Sequence, residues 1–119
     1  MYALAFERVC HNCGLLRPAL TFREFTEQAW LIPARFVEQH QRCVAHGLGL
    51  GDEWPAIGCD ARDPTLQDGI VVPGMVLCVE SYPGEVGGTE GVKLEARVLI
   101  TARGREVLSR FPIESLVAG

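Results

Sequence analysis

The sequence has no apolar run approaching the roughly 20 residues of a membrane-spanning helix, so no membrane partner is expected. It has no excess of positive charge. Lys and Arg number 11 against 15 Asp and Glu, a net charge of −4 at pH 7. That balance excludes the basic surface needed to hold nucleic acid or an anionic bilayer. No basic segment followed by an apolar stretch opens the chain, so no secretion signal is expected and the expected compartment is the cytoplasm. Internal repeats and low-complexity linkers are absent. A second C-x-x-C pair is absent too. The pair in Cys10-His11-Asn12-Cys13 has the spacing of a zinc knuckle or redox centre, but nothing completes it, and Cys43 with His46 would be an odd complement. The five cysteines are odd in number, in a composition unlike a small secreted scaffold, and free structural thiols are expected.

What remains is a globular composition, 48% apolar and 22% charged, over 119 residues, which is one domain with room for a core. Residues 75–101 organise it. Residues 75–79 form an apolar run that ends at Glu80. In residues 92–100, Val92, Leu94, Ala96, Val98 and Ile100 alternate to one face, and Lys93, Glu95 and Arg97 share the other. Gly84, Gly87, Gly88 and Gly91 punctuate the link, so the two strands are expected to fold back as a hairpin-like pair. Glu80 and Glu95 would then stand side by side. Close carboxylates repel unless they share a proton or a cation. The plainer alternative is two solvated glutamates, one balanced by Lys93 and Arg97.

Ahead of this stretch the spacing predicts two helices. The first covers residues 2–13, with Ala3, Leu4, Phe6, Val9, Cys10 and Cys13 as its apolar stripe and Gly14 as its stop. The second covers residues 22–31, with Thr21 and Glu24 as a capping box and Phe22, Phe25, Ala29 and Ile32 facing inward. Residues 38–42 are polar and mixed. The alternate glycines at 47, 49 and 51 predict close approach to the backbone. Asp52-Glu53-Trp54-Pro55 reads as a site loop. Asp60, Asp63 and Asp68 fit turn and cap roles better than a calcium loop. Val72-Pro73-Gly74 and Ala102-Arg103-Gly104 are turns, and residues 106–111 a short closing segment.

His46-Gly47-x-Gly49-Leu50, Pro73-Gly74-Met75-Val76, Glu80, Gly91-Val92-Lys93-Leu94-Glu95, Val98-Leu99-Ile100-Thr101 and Gly104 follow one another in a set order. This order resembles the C-terminal half of the pita-bread metallopeptidase family, which includes methionine and Xaa-Pro aminopeptidases, prolidases and creatinase. The resemblance is strong over residues 46–106 and weaker over residues 2–44, where Arg17-Pro18 and Thr21-x-x-Glu24 look like the family's linker between two helices. It implies an α+β fold, a pita-bread-type half domain of two N-terminal helices on a curved antiparallel sheet. It also implies His46, Glu80 and Glu95 as ligands to divalent metal ions, with a small molecule or short peptide as substrate. Imidazole and carboxylate donors suit manganese, iron, cobalt or zinc.

Two departures from the family pattern matter. The family's two aspartate ligands precede the first helix, and here no aspartate occurs before Asp52. The chain therefore looks like about half of a catalytic domain, inactive alone, with a sheet edge that a second copy or a missing N-terminal half would cover. Secondly, the peptidases carry His-Glu after the glycine-spaced strand and Glu-Pro at the first glutamate. Here Asp52-Glu53 and Glu80-Ser81 stand there, and His40 is not placed to replace the lost histidine. These variants look similar to a branch of the same fold that cleaves dimethylsulfoniopropionate to dimethyl sulfide and acrylate. In that branch an aspartate at the position of Asp52 is the base, and Trp54 or Tyr82 would face the cationic sulfonium. Three readings stand open: a metal-dependent hydrolase of the aminopeptidase type, a lyase, or a non-catalytic or partner-dependent subunit.

Overall fold

Thr21 accepts a hydrogen bond from the Glu24 N–H at 3.0 Å, and the Thr21 N–H donates to the Glu24 carboxylate at 2.8 Å. This reciprocal cap satisfies two otherwise orphaned donors and starts the second helix where the sequence predicts. Replacing Thr21 by alanine removes one arm of the box and should cost about 1 kcal/mol of stability, read as a lowered urea midpoint with an unchanged slope.

The computed structural model describes residues 1–33, 35–36, 43–66 and 68–116. Helices α1 (Tyr2–Leu15) and α2 (Phe22–Gln28) precede five strands: β1 (Cys43–Leu48), β2 (Asp52–Gly58), β3 (Val76–Ser81), β4 (Leu94–Thr101) and β5 (Gly104–Val107). A 3-10 turn over Ile113–Leu116 follows. The strands form one sheet in the order β2-β1-β3-β4-β5, each neighbouring pair antiparallel. Helix α1 packs over β3 and β4, and α2 against β2. This is the expected α+β arrangement of two N-terminal helices on an antiparallel sheet. The core between the layers includes Val9, Leu16, Phe22, Phe25, Ile57, Leu77, Val79, Val98 and Ile100. Among the described residues no helix is long and apolar enough to cross a membrane.

Several boundaries differ from expectation. Helix α1 runs through Gly14 to Leu15, because the chain turns extended only at Leu16. Its inward face is centred on Ala5, Arg8, Val9, Asn12 and Cys13, while Ala3 and Cys10 are exposed. Arg8 and Asn12 are buried because both grip the chain beyond α2. Arg8 Nε donates to the Trp30 carbonyl at 3.1 Å, and the Trp30 N–H donates to Asn12 Oδ1 at 2.8 Å. These contacts fix an extended exit, and α2 stops at Gln28 rather than near Leu31. Residues 52–55 are not a loop. They begin β2, which pairs with β1 across a bulge where the register passes from His46↔Ala56 to Gly47↔Glu53. The strand that closes the sheet starts at Gly104, two residues earlier than expected, because the turn at 102–103 feeds straight into pairing with β4. Asp60, Asp63 and Asp68 each accept hydrogen bonds within their own turns. Residues 38–42, including His40, lie outside the described residues.

Candidate metal centre

In a strand, successive side chains alternate between the two faces. On β3 this sends Leu77, Val79 and Ser81 toward the helices and Cys78 and Glu80 toward the other face. The β3–β4 register sets Glu80 directly opposite Glu95, and the β1–β3 register sets His46 opposite Cys78. Three strands thus deliver His46, Cys78, Glu80 and Glu95 to one patch of the sheet. The hairpin expected from the glycine-rich link forms, and Gly84 bridges Gly91 within it.

The patch is tightly connected. His46 Nε2 lies 3.1 Å from Glu80 Oε1, and its Nδ1 lies 2.8 Å from the Gly47 carbonyl. Asp52 Oδ1 stands 3.8 Å from His46 Nδ1, with its side chain almost fully exposed. The Lys93 ammonium sits between the two glutamates, 2.6 Å from Glu95 and 3.3 Å from Glu80. Cys78 donates its thiol hydrogen to Glu95 Oε2 at 3.6 Å. Glu80 is 6% exposed and His46 7%, so the reading of two solvated glutamates fails for Glu80.

The electrostatics follow from these contacts. The hydrogen bond from Lys93 holds the Glu95 carboxyl below the usual carboxylate range, against the effect of burial. The same bond to Glu95, with the charge of Glu80, raises the Lys93 ammonium. Burial pushes the His46 imidazolium down. The Gly47 carbonyl and Glu80 outweigh it, and the net direction is upward from the ordinary 6.5. Burial, with Glu95 and Glu80 nearby, pushes the Cys78 thiol up to about 12.

The donor set of His46, Cys78 and Glu80 could hold a divalent cation, while Glu95 is not part of that group of three. Donor atoms of His46, Cys78 and Glu80 all lie within 4.8 Å of one another. The paired carboxylates already require a positive charge between them, which the Lys93 ammonium supplies. Its side chain is half exposed. Cys78 carries no role in the sequence, and Lys93 is read there only as balancing Glu95, a contact the structure makes. The signal for both is the period of two, since Cys78 precedes Glu80, and Lys93 precedes Glu95, by one full strand repeat.

Trp54 and Tyr82 each pack against a neighbouring residue. The Trp54 ring lies edge-on to Phe22 of α2, with centroids 5.5 Å apart. The Tyr82 ring covers Gly91, where an added Cβ would come within 2.8 Å of it. Ser81 has a specific partner: its hydroxyl accepts from Arg8 Nη1 at 2.7 Å. Cys13 is buried in the core, and burial pushes its thiol up to about 12, whereas Cys10 on the same helix is exposed.

The fold has known counterparts. The X-Pro aminopeptidase of Thermotoga maritima superposes with a TM-score of 0.68 at 22% identity, over 93% of this chain and 30% of that one. The prolidase of Pyrococcus furiosus superposes with a TM-score of 0.70 at 24% identity, over 92% of this chain and 31% of that one. The chain has the pita-bread fold. In sequence, this pita-bread half domain is 39% identical over its whole length to the dimethylsulfoniopropionate lyase DddP of Roseovarius nubinhibens. It is 36% identical over 95% of its length to the lyase of the same name from Roseobacter denitrificans. The chain spans about a quarter of the length of these curated relatives, 27% and 26% respectively. No family model matches it.

Proposed function

We propose that residues 1–119 form one domain, the metal-binding C-terminal half of the pita-bread catalytic domain of a dimethylsulfoniopropionate lyase-type enzyme. His46, Glu80 and Glu95 are its ligands to manganese, iron, cobalt or zinc, and Asp52 is its base. The observation that carries this reading is the line Asp52–His46–Glu80. Glu80 is buried on one side of the imidazole, and an exposed carboxylate stands 3.8 Å from the other. A buried acid suits holding an ion and an exposed one suits meeting a substrate. Identity to lyases along the whole chain supports the lyase over the peptidase reading.

In this reading Asp52 takes the proton from the substrate carbon next to its carboxylate. The electron pair left behind forms the carbon–carbon double bond of acrylate. The carbon–sulfur bond breaks and its pair leaves on sulfur as dimethyl sulfide, while Asp52 keeps the proton. A bound divalent ion supplies Lewis acidity toward the substrate carboxylate and so acidifies that proton. Lys93 balances the charge of the paired glutamates. Trp54, exposed at the outer edge of the sheet, is the candidate face for the sulfonium, with Tyr82 the alternative.

The chain carries three of the family's five ligands, so the domain acts with a partner that supplies the remaining donors, either a missing N-terminal half or another copy. The test is complementation. The metal-loaded chain alone is expected to release no dimethyl sulfide, and the chain mixed with the part of the Roseovarius nubinhibens lyase that it does not span is expected to release it. Release by the chain alone would sink the partner requirement. Cleavage of an Xaa-Pro peptide by the mixture, with no dimethyl sulfide, would sink the lyase in favour of a hydrolase. Inactivity toward both would leave a non-catalytic subunit.

A further inference from the structure

Arg8 lies on the opposite side of the sheet from the candidate metal centre and is 2% exposed. Its hydrogen bonds go to neutral groups, the Trp30 carbonyl and the Ser81 hydroxyl. Among the described residues it has no carboxylate partner, and Nη2 has no hydrogen-bond partner at all. A buried guanidinium without a counter-charge is costly. Burial accordingly lowers its pKa. Arg8 lines a cavity of about 670 Å³ between the two helices and the connection that follows β2. The second arginine there, Arg62, pairs with Asp60 at 3.0 Å, so among the described residues Arg8 is the arginine of this cavity without a direct carboxylate partner. Glu27 on the wall repels any further negative charge, which disfavours a phosphate dianion. Leu31, Ile32 and Val44 make the remaining wall apolar.

We propose that this cavity binds a small monocarboxylate with a short apolar tail, its oxygens on the free edge of the Arg8 guanidinium and its tail against Leu31, Ile32 and Val44. A planar carboxylate matches the guanidinium fork, and its single charge meets less repulsion from Glu27 than a dianion would. The site is separate from the metal centre, and its occupancy does not depend on the lyase reading.

Propionate and inorganic phosphate are the probes, titrated into the ¹⁵N-labelled chain and followed by NMR. Saturable shifts from propionate at the Arg8 Nε–H and at the Thr26 and Ile32 amides, with phosphate weaker, are expected. Arg8→Gln should weaken propionate binding about tenfold or more, the cost of removing one partner of a buried charge pair. Should that variant fail to fold, the map on the unaltered chain decides. Shifts confined to residues around Lys93 and His46, preference for phosphate, or no saturation would each overturn the proposal.

Discussion

Glu80→Ala should abolish binding of manganese and zinc by the chain, while Glu90→Ala, in the exposed connection between β3 and β4, should leave it unchanged. Glu80 is the hub of the patch. Among the described residues it alone touches both His46, at 3.1 Å, and Lys93, at 3.3 Å, and it stands in register with Glu95. Removing it takes a donor from the ion and also frees the imidazole that Glu80 orients. The loss should therefore exceed the roughly 10–100-fold that an outer partner of a ligand contributes. Calorimetric titration with each ion reads the loss, and far-ultraviolet circular dichroism checks that the variant is folded. A folded variant that binds as well as the parent would remove Glu80 from the ligand set and take the proposed centre with it.

The pairing that makes this hub was legible in the sequence because two independent patterns agree. Period-two alternation over residues 92–100 fixes which face Glu95 takes, and the glycines between 84 and 91 allow the chain to fold back. Together they leave few registers, and the observed one sets Glu80 on Glu95. What was not legible shares one cause, since polar groups were read by polarity rather than by partner. Arg8 and Asn12 were left off the buried stripe of α1, yet both are buried because the chain beyond α2 supplies their hydrogen bonds. Asp52-Glu53-Trp54-Pro55 read as a loop because acidic residues and proline usually interrupt sheets. As an edge strand β2 tolerates them, since one side of its backbone faces away from β1. The likeness to the lyases was legible only as two substitutions, at Asp52 and Ser81. Asp52 lies beside the imidazole, and Ser81 binds a buried arginine that no proline could engage.

Gly47→Ala should destabilise the domain by about 3 kcal/mol or more, the upper end for an insertion into a packed interior. The alternate glycines pointed to a close approach at this strand, and the approach is made by backbone. A Cβ on Gly47 would lie 2.1 Å from the Trp54 carbonyl oxygen, 2.6 Å from its carbon and 2.9 Å from the Glu53 oxygen. No side-chain rotation relieves such contacts, so β1 and β2 must separate at the bulge. The displacement falls one residue from His46 and five from Asp52, so metal binding should weaken along with stability. Gly51→Ala is the control, because a Cβ there meets nothing within 4 Å. At about 4 °C per kcal/mol for a domain of this size, Gly47→Ala should melt some 10 °C or more below the parent, with Gly51→Ala close to it. Equal melting of the two variants would mean that β2 does not press on β1 at Gly47. The short Asp52–His46 distance, which rests on that pairing, would fall with it, as would the assignment of Asp52 as the base.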